Sequence, residues 1–110
     1  MKVTILMSTY NGERFLAEQI ESIRQQTYTG WQLLIRDDGS KDRTREIIQD
    51  FCQKDNRIQF VNPDSVENLG VIKSFFYLLK YQTSDVYFFS DQDDVWLPEK
   101  VEMQLEEAIK

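Results

Sequence analysis

The chain has 110 residues, 19 acidic and 13 basic side chains, a formal charge of −6 and 41% hydrophobic residues. That length holds one compact domain, and its seven Phe, five Tyr and two Trp exclude a disordered chain. An acidic chain repels a phosphate backbone, which excludes general nucleic-acid binding.

A single cysteine, Cys52, allows no intrachain disulfide, and the absence of histidine excludes a histidine-based triad or a histidine-containing zinc site. Neither a leader pattern nor a run of ~20 apolar residues is present. The expectation is a reduced, cytoplasmic polypeptide without a transmembrane segment in this chain.

Val3–Met7 is a short apolar run suited to a strand buried on both faces. Ser8-Thr9-Tyr10-Asn11-Gly12 follows as turn chemistry. Phe15, Leu16, Gln19, Ile20 and Ile23 then recur at helical spacing. Trp31–Arg36 reads as a second strand ending in Asp37-Asp38-Gly39-Ser40, with Ser40 or Asp42 placed to cap a helix whose stripe is Ile47, Ile48, Phe51 and Cys52. Arg57–Val61 reads as a third strand, broken by Asn62-Pro63-Asp64. Asn68-Leu69-Gly70 opens a third helix with Val71, Ile72, Phe75, Phe76 and Leu79 directed inward. Asp85–Ser90 reads as a fourth strand, followed by Asp91-Gln92-Asp93-Asp94. Pro98 suits the first turn of a last helix carrying Leu97, Val101, Leu105 and Ile109.

Four strand–helix alternations predict an α/β fold with a Rossmann-like parallel sheet, of order 3-2-1-4, and helices on both faces. Residues 1–110 read as one domain, and the sheet edge left beside the fourth strand reads as that of a fragment of a longer protein.

In open parallel sheets, ligands bind beyond the carboxyl ends of the strands where strand order reverses. Those ends supply Ser8, Thr9, Tyr10 and Asn11, then Asp37 and Asp38, then Asp91, Asp93 and Asp94. Five carboxylates converging there would repel one another unless a hard divalent cation, Mg²⁺ or Mn²⁺, intervened. Each motif also has a plainer reading. Asp-Asp-Gly-Ser is good turn chemistry, and the acidic loop could simply favour a helix dipole. Asn68-Leu69-Gly70 is either a plain helix start or a phosphate-binding one, and Lys73 either reaches a phosphate or is solvated. Trp96 is assigned to packing. Glycine-rich dinucleotide and P-loop patterns are absent.

In this order and spacing, the motifs Ser8–Gly12, Asp37–Ser40 with Asp42 and Thr44, Asn68–Gly70, and Asp91–Asp94 with Pro98 resemble family 2 glycosyltransferases of GT-A type. The string Ser90–Pro98 is similar to the bacterial rhamnosyltransferases of surface polysaccharide synthesis. The resemblance implies a truncated GT-A fold. It implies metal-dependent, inverting transfer from a nucleotide-sugar donor (dTDP-rhamnose or a UDP-sugar) to a polysaccharide or lipid-linked acceptor. The full-length protein would then work at the inner face of the membrane. It places Thr9, Tyr10 and Asn11 at the nucleotide, with Asp38 accepting from a pyrimidine N3–H and Asp37 supporting that loop. Gly70 and Lys73 stay candidates for the phosphates on their own chemistry, since the resemblance does not fix the diphosphate contacts there. Asp91 and Asp93 would form the DxD motif, Asp93 binding Mn²⁺ or Mg²⁺ and Asp91 the ribose or metal-bound water, with Asp94 in support. The family's general base follows the DxD motif and is expected beyond Lys110, so no catalytic residue is assigned. Phe75 and Phe76 depart from the family's usual Arg and Asn. A receiver-type signalling domain fits poorly, because the first strand ends without an acidic pair; a non-catalytic nucleotide-binding module remains the other alternative.

Overall fold

The computed structural model describes residues 1–109, with side chains through Glu107. Lys110, beyond which the resemblance places the general base, lies outside the described residues. Eight elements alternate: β1 (Val3–Thr9), α1 (Leu16–Arg24), β2 (Trp31–Asp37), α2 (Thr44–Lys54), β3 (Ile58–Phe60), α3 (Val71–Tyr81), β4 (Val86–Ser90) and α4 (Lys100–Ile109). All strands pair in parallel in the expected order β3-β2-β1-β4.

The period of two along a strand divides the core. Val3, Ile5 and Met7 of β1 join Leu33 and Ile35 of β2 on one face, packed with Leu16, Ile20 and Ile23 of α1, Ile48 and Phe51 of α2, and Val101 and Leu105 of α4. Leu6 and Leu34 point the other way, to Leu78 of α3. Helices of 9 to 11 residues are marginal alone in water. Burial holds them, at about 1.5–3 kcal/mol for each large apolar side chain removed from water. Trp96 packs in the larger core, tilted against Phe88 at 6.2 Å.

Several sequence expectations shift. β1 and β2 run on to Thr9 and Asp37, which are register partners, because the Thr9 hydroxyl donates to the Asp37 carboxylate at 2.8 Å. Neither Ser40 nor Asp42 is the N-cap of α2, which is Arg43; Asp42, one residue before it, accepts from the Thr44 N–H at 3.0 Å, while Ser40 turns toward Asp37. Phe15 precedes α1 and is exposed. Leu97 is exposed ahead of α4, since that helix begins at Lys100 rather than beside Pro98; the Ile109 side chain lies outside the described residues. On α3 Ser74 and Leu78 are fully buried and Phe75 and Leu79 pack half-buried against the same core as expected, whereas Val71, Ile72 and Phe76 are 62%, 70% and 57% exposed. Ser74 is drawn to the sheet by hydrogen bonds from Ser8 and Arg36. A helix apolar nearly all round offers little contrast from which to read that rotation.

Asp55 closes the turn between α2 and β3. It accepts from Arg57 through Nε at 3.0 Å and Nη2 at 2.8 Å, and from Arg24 at 3.3 Å. The Arg57 hydrogen bonds hold its carboxyl well below the usual carboxylate range, with Arg24 adding to the effect. A depressed acid stabilises the fold above its unfolded pKa of ~3.9 and loses that contribution as pH falls through the folded value. Asp55→Asn is therefore expected to destabilise the chain at pH 7 by about 1.5–3 kcal/mol, the range for hydrogen bonds to charged groups. Denaturant melts across pH should show the gap to wild type closing below the ordinary carboxylate pKa; a gap independent of pH would remove the ionic account.

Candidate functional site

A cleft of ≈ 370 Å³ opens where β1 and β4 end. The structure brings Thr9, Tyr10, Asp38, Gly70 and Asp91 together in its lining, with Ser8, Asn68, Phe75 and Gln92 beside them. Asn11, Asp37, Lys73 and Asp93 do not line it.

The two aspartates that end β2 have different surroundings. Asp37 is 0% exposed. Its Oδ1 accepts from the Thr9 and Ser40 hydroxyls at 2.8 and 2.6 Å, and its Oδ2 from the Ser40 N–H at 2.8 Å and Arg45 at 3.2 Å. A carboxylate has about four acceptor sites, so Asp37 is saturated and acts beneath the loop. Asn62 clamps its backbone from both sides, accepting from the N–H at 2.9 Å and donating to the carbonyl at 2.6 Å. Asp38 Oδ1 accepts from Arg36 Nη1 at 2.7 Å and the Leu69 N–H at 2.7 Å, and Oδ2 accepts from the Gly70 N–H at 3.1 Å. One acceptor site is left, on Oδ2.

These pairs correct the expectation of five mutually repelling carboxylates. Asp37 and Asp38 are each matched by an arginine, Arg45 and Arg36. Among the described residues no group of three or more acidic or cysteine side chains is gathered to hold a metal. The Leu69 and Gly70 N–H groups, which a phosphate-binding helix start would offer to a phosphate, donate to Asp38 instead. Lys73 is exposed on α3, away from the cleft lining.

Asn11 fastens the loop after β1 to the loop after β2. Its N–H donates to the Ser40 hydroxyl at 2.8 Å and its side-chain oxygen accepts from the Lys41 N–H at 2.9 Å. Its φ of 47° is one that asparagine tolerates. Across the cleft, the loop after β4 hangs from Gln19 of α1, whose amide donates to the Ser90 hydroxyl at 2.9 Å and the Asp91 carbonyl at 2.6 Å. The Asp94 N–H closes a turn onto the Asp91 carbonyl, and the Asp94 carboxylate accepts from Trp96 Nε1 at 3.2 Å. Asp93 holds the left-handed backbone at φ 68°. The Asp91 and Asp93 residues are exposed, and neither carboxylate has a hydrogen-bond or ionic partner among the described residues.

Sequence reading passed over Arg36, Gln19, Asn62 and Ser74 as parts of this site. For Arg36 the signal was present: it follows Leu34 by two on an otherwise buried strand, so it faces inward and needs a carboxylate. Asp38, two residues on, supplies it. Asn62 and Ser74 carry no such signal, because their partners, the Asp37 backbone for the one and the Ser8 hydroxyl and Arg36 guanidinium for the other, are distant in sequence.

Residues 4–110 match the family model described as Glycosyl transferase family 2. The chain belongs to that family. Its family 2 relatives include the UDP-Glc:alpha-D-GlcNAc-diphosphoundecaprenol beta-1,3-glucosyltransferase WfgD of Escherichia coli, 34% identical over 98% of this chain and 41% of the relative. The dTDP-rhamnosyl transferase RfbG of Shigella flexneri is 36% identical over 86% of this chain and 34% of its own length. Among solved structures, S. aureus TarS 1–349 in complex with UDP superposes with a TM-score of 0.80 at 25% identity, covering 96% of this chain and 31% of that one. The GT-A fold is therefore shared. The chain spans well under half the length of these relatives, and no described helix is long and apolar enough to cross a membrane.

Gly39 is the tightest backbone position in this family 2 site. Its φ is +86°, and a Cβ placed there would sit 2.7 Å from the Val66 carbonyl oxygen. Gly39→Ala is expected to destabilise the chain by ~1–3 kcal/mol through backbone strain, with the clash adding to it. Gly70 has the same φ, but a Cβ added there would meet nothing within 4 Å, so Gly70→Ala should cost less. Parallel thermal melts check the order; equal losses would show that the Val66 approach is not what Gly39 serves.

Proposed function

We propose that residues 1–110 form the nucleotide-sugar-binding part of a longer glycosyltransferase. It would transfer a sugar, with inversion, from a nucleotide-diphosphate donor to a polysaccharide or lipid-linked acceptor. The observation that carries this reading is the cleft at the strand ends, with the last acceptor site of Asp38 at one side and the unpartnered Asp91 carboxylate at the other. Thr9 and Tyr10 would lie against the base, and Asp38 would accept from its N3–H. Asn11 and Asp37 would hold the two loops rather than touch the nucleotide; Gly70 would border the phosphates, and Lys73 would need to swing toward them. The similarity to WfgD and RfbG, named for UDP-Glc and dTDP-rhamnosyl donors, and to TarS in its UDP complex supports a UDP-sugar or dTDP-rhamnose. The lipid-linked acceptor of WfgD supports a reaction at a membrane surface.

The donor set suits a divalent ion that shares its shell with a diphosphate. Two free carboxylates are too few for an all-protein cage, but Mg²⁺ is commonly held by one or two carboxylates plus phosphate oxygens and water. Asp93 and Asp91 would hold Mn²⁺ or Mg²⁺, which when bound offsets the charge developing on the leaving diphosphate. Asp94 and Gln19 would keep that loop in place. The acceptor's general base is not assigned to any residue up to Lys110, so residues 1–110 alone should not glycosylate an acceptor.

Two measurements test this reading. Calorimetric titration with UDP, dTDP, ADP and GDP should show tighter binding of the pyrimidine pair, since purines present a larger ring and another edge to Asp38. Equal affinity across the four removes the base role. Nucleotide titrations with and without Mn²⁺ should show reciprocal strengthening, with a coupling of ~1–3 kcal/mol. Asp93→Asn, which tolerates the left-handed backbone, should abolish the coupling without lowering the melting temperature. Full coupling in that variant, or none in wild type, sinks the metal role.

A further inference from the structure

Arg36 is a cation 2% exposed, on the strand that delivers Asp38. Its Nη1 donates to Asp38 Oδ1 at 2.7 Å and to the Ser74 hydroxyl at 3.1 Å, and its Nη2 donates to the Glu67 carbonyl at 2.9 Å. Its guanidinium lies 5.3 Å from the centre of the Tyr77 ring, and Nε is buried without a partner. One planar group thus joins β2, the loop before α3, and two residues of α3 itself. Ser74 also receives the Ser8 hydroxyl from the end of β1 at 2.7 Å.

A free carboxylate turns easily, because its terminal torsion is broad. The Leu69 and Gly70 N–H groups that also grip Asp38 come from a loop, and that loop is tied to β2 through Arg36 and through the Asn68 amide, which donates to the Asp38 carbonyl at 2.8 Å. Only the arginine links the carboxylate itself to the sheet and to α3 at once. A lysine, with its donors at one point, could not span Asp38, Ser74 and Glu67 together.

We propose that Arg36 is a specificity-determining positioning residue. It fixes the Asp38 carboxylate so that one acceptor site is left for the cleft, which selects a base that donates at its ring N–H, uracil or thymine, over cytosine, which accepts there. This rests on the reading of the cleft as a pyrimidine nucleoside diphosphate site. Arg36 touches no substrate itself; it acts through Asp38.

The test is titration of UDP and CDP into the 110-residue chain as wild type, Arg36→Met and Arg36→Lys, with circular dichroism melts as the folding control. Wild type should prefer UDP by roughly tenfold or more, the worth of a hydrogen bond to a charged group. Arg36→Met should bring the ratio close to one, and Arg36→Lys should leave it between the two. A purely structural arginine would weaken both nucleotides by the same factor, so folded variants that keep the full ratio overturn the proposal while leaving the pyrimidine reading intact. A wild type that binds UDP and CDP equally overturns that reading, and the proposal with it. Should Arg36→Met not fold, Arg36→Lys decides by the same criterion.

Discussion

Two adjacent carboxylates at the end of a buried strand would ordinarily push each other apart. Here β2 ends in Asp37 with Asp38 directly after it, and the site depends on how that conflict is resolved. Neighbouring residues on one strand point to opposite faces, and each aspartate meets its own arginine there: Arg45 from α2 for Asp37, and Arg36 from β2 itself for Asp38. Breaking a buried pair by removing one partner typically costs 3–5 kcal/mol, because the remaining charge stays desolvated. The end of β1 and the loops after β2 and β3 are all tied to these carboxylates or to their backbone.

The same economy governs the rim of the cleft. Loops that leave a sheet lose their ladder hydrogen bonds and must find others. Asn62 replaces them for Asp37, Asn68 for the Asp38 carbonyl, Asn11 for Lys41, and Gln19 for Asp91. Four side-chain amides, each able to donate and accept, thus hold backbone that no strand reaches. The loop after β4 differs: Asp94 is engaged with Trp96, while Asp91 and Asp93 keep their carboxylates toward solvent. One side of the cleft is charge-balanced within the protein, and the other is not.

The strand order and the division into layers were legible in the sequence because buried parallel strands read as short apolar runs bounded by turn residues, as in Val3–Met7 and Trp31–Arg36. So were the residues that now line the cleft, since topology alone directs Thr9, Tyr10, Asp38 and Asp91 to the same end of the sheet. The arginine partners were not read. Charge was counted among the acidic residues without asking which cation each would meet in space, so Asp37 and Asp38 were grouped with the acidic loop although Arg45 and Arg36 already stand beside them. The face of α3 was legible only in part, with Phe75 and Leu79 on the core as the spacing predicts and Val71, Ile72 and Phe76 turned outward. Its sequence is apolar on nearly every side, and what turns Ser74 inward is a polar network spanning Ser8 and Arg36, which periodicity cannot register.

The two edges of the sheet are unequal. β3 offers three residues, too short a template to recruit another strand. β4 offers five, has β1 as its one strand neighbour among the described residues, and carries a half-exposed Phe89 beside the exposed Ile72 and Phe76 of α3. That flank is sticky, whereas the net charge of −6 keeps copies of the chain apart over a range set by the Debye length. Colloidal behaviour and fold stability are consequently governed by different parts of the molecule. Added salt weakens the repulsion between copies without loosening the apolar core, so a solution of this chain can lose its dispersion while every molecule in it remains folded.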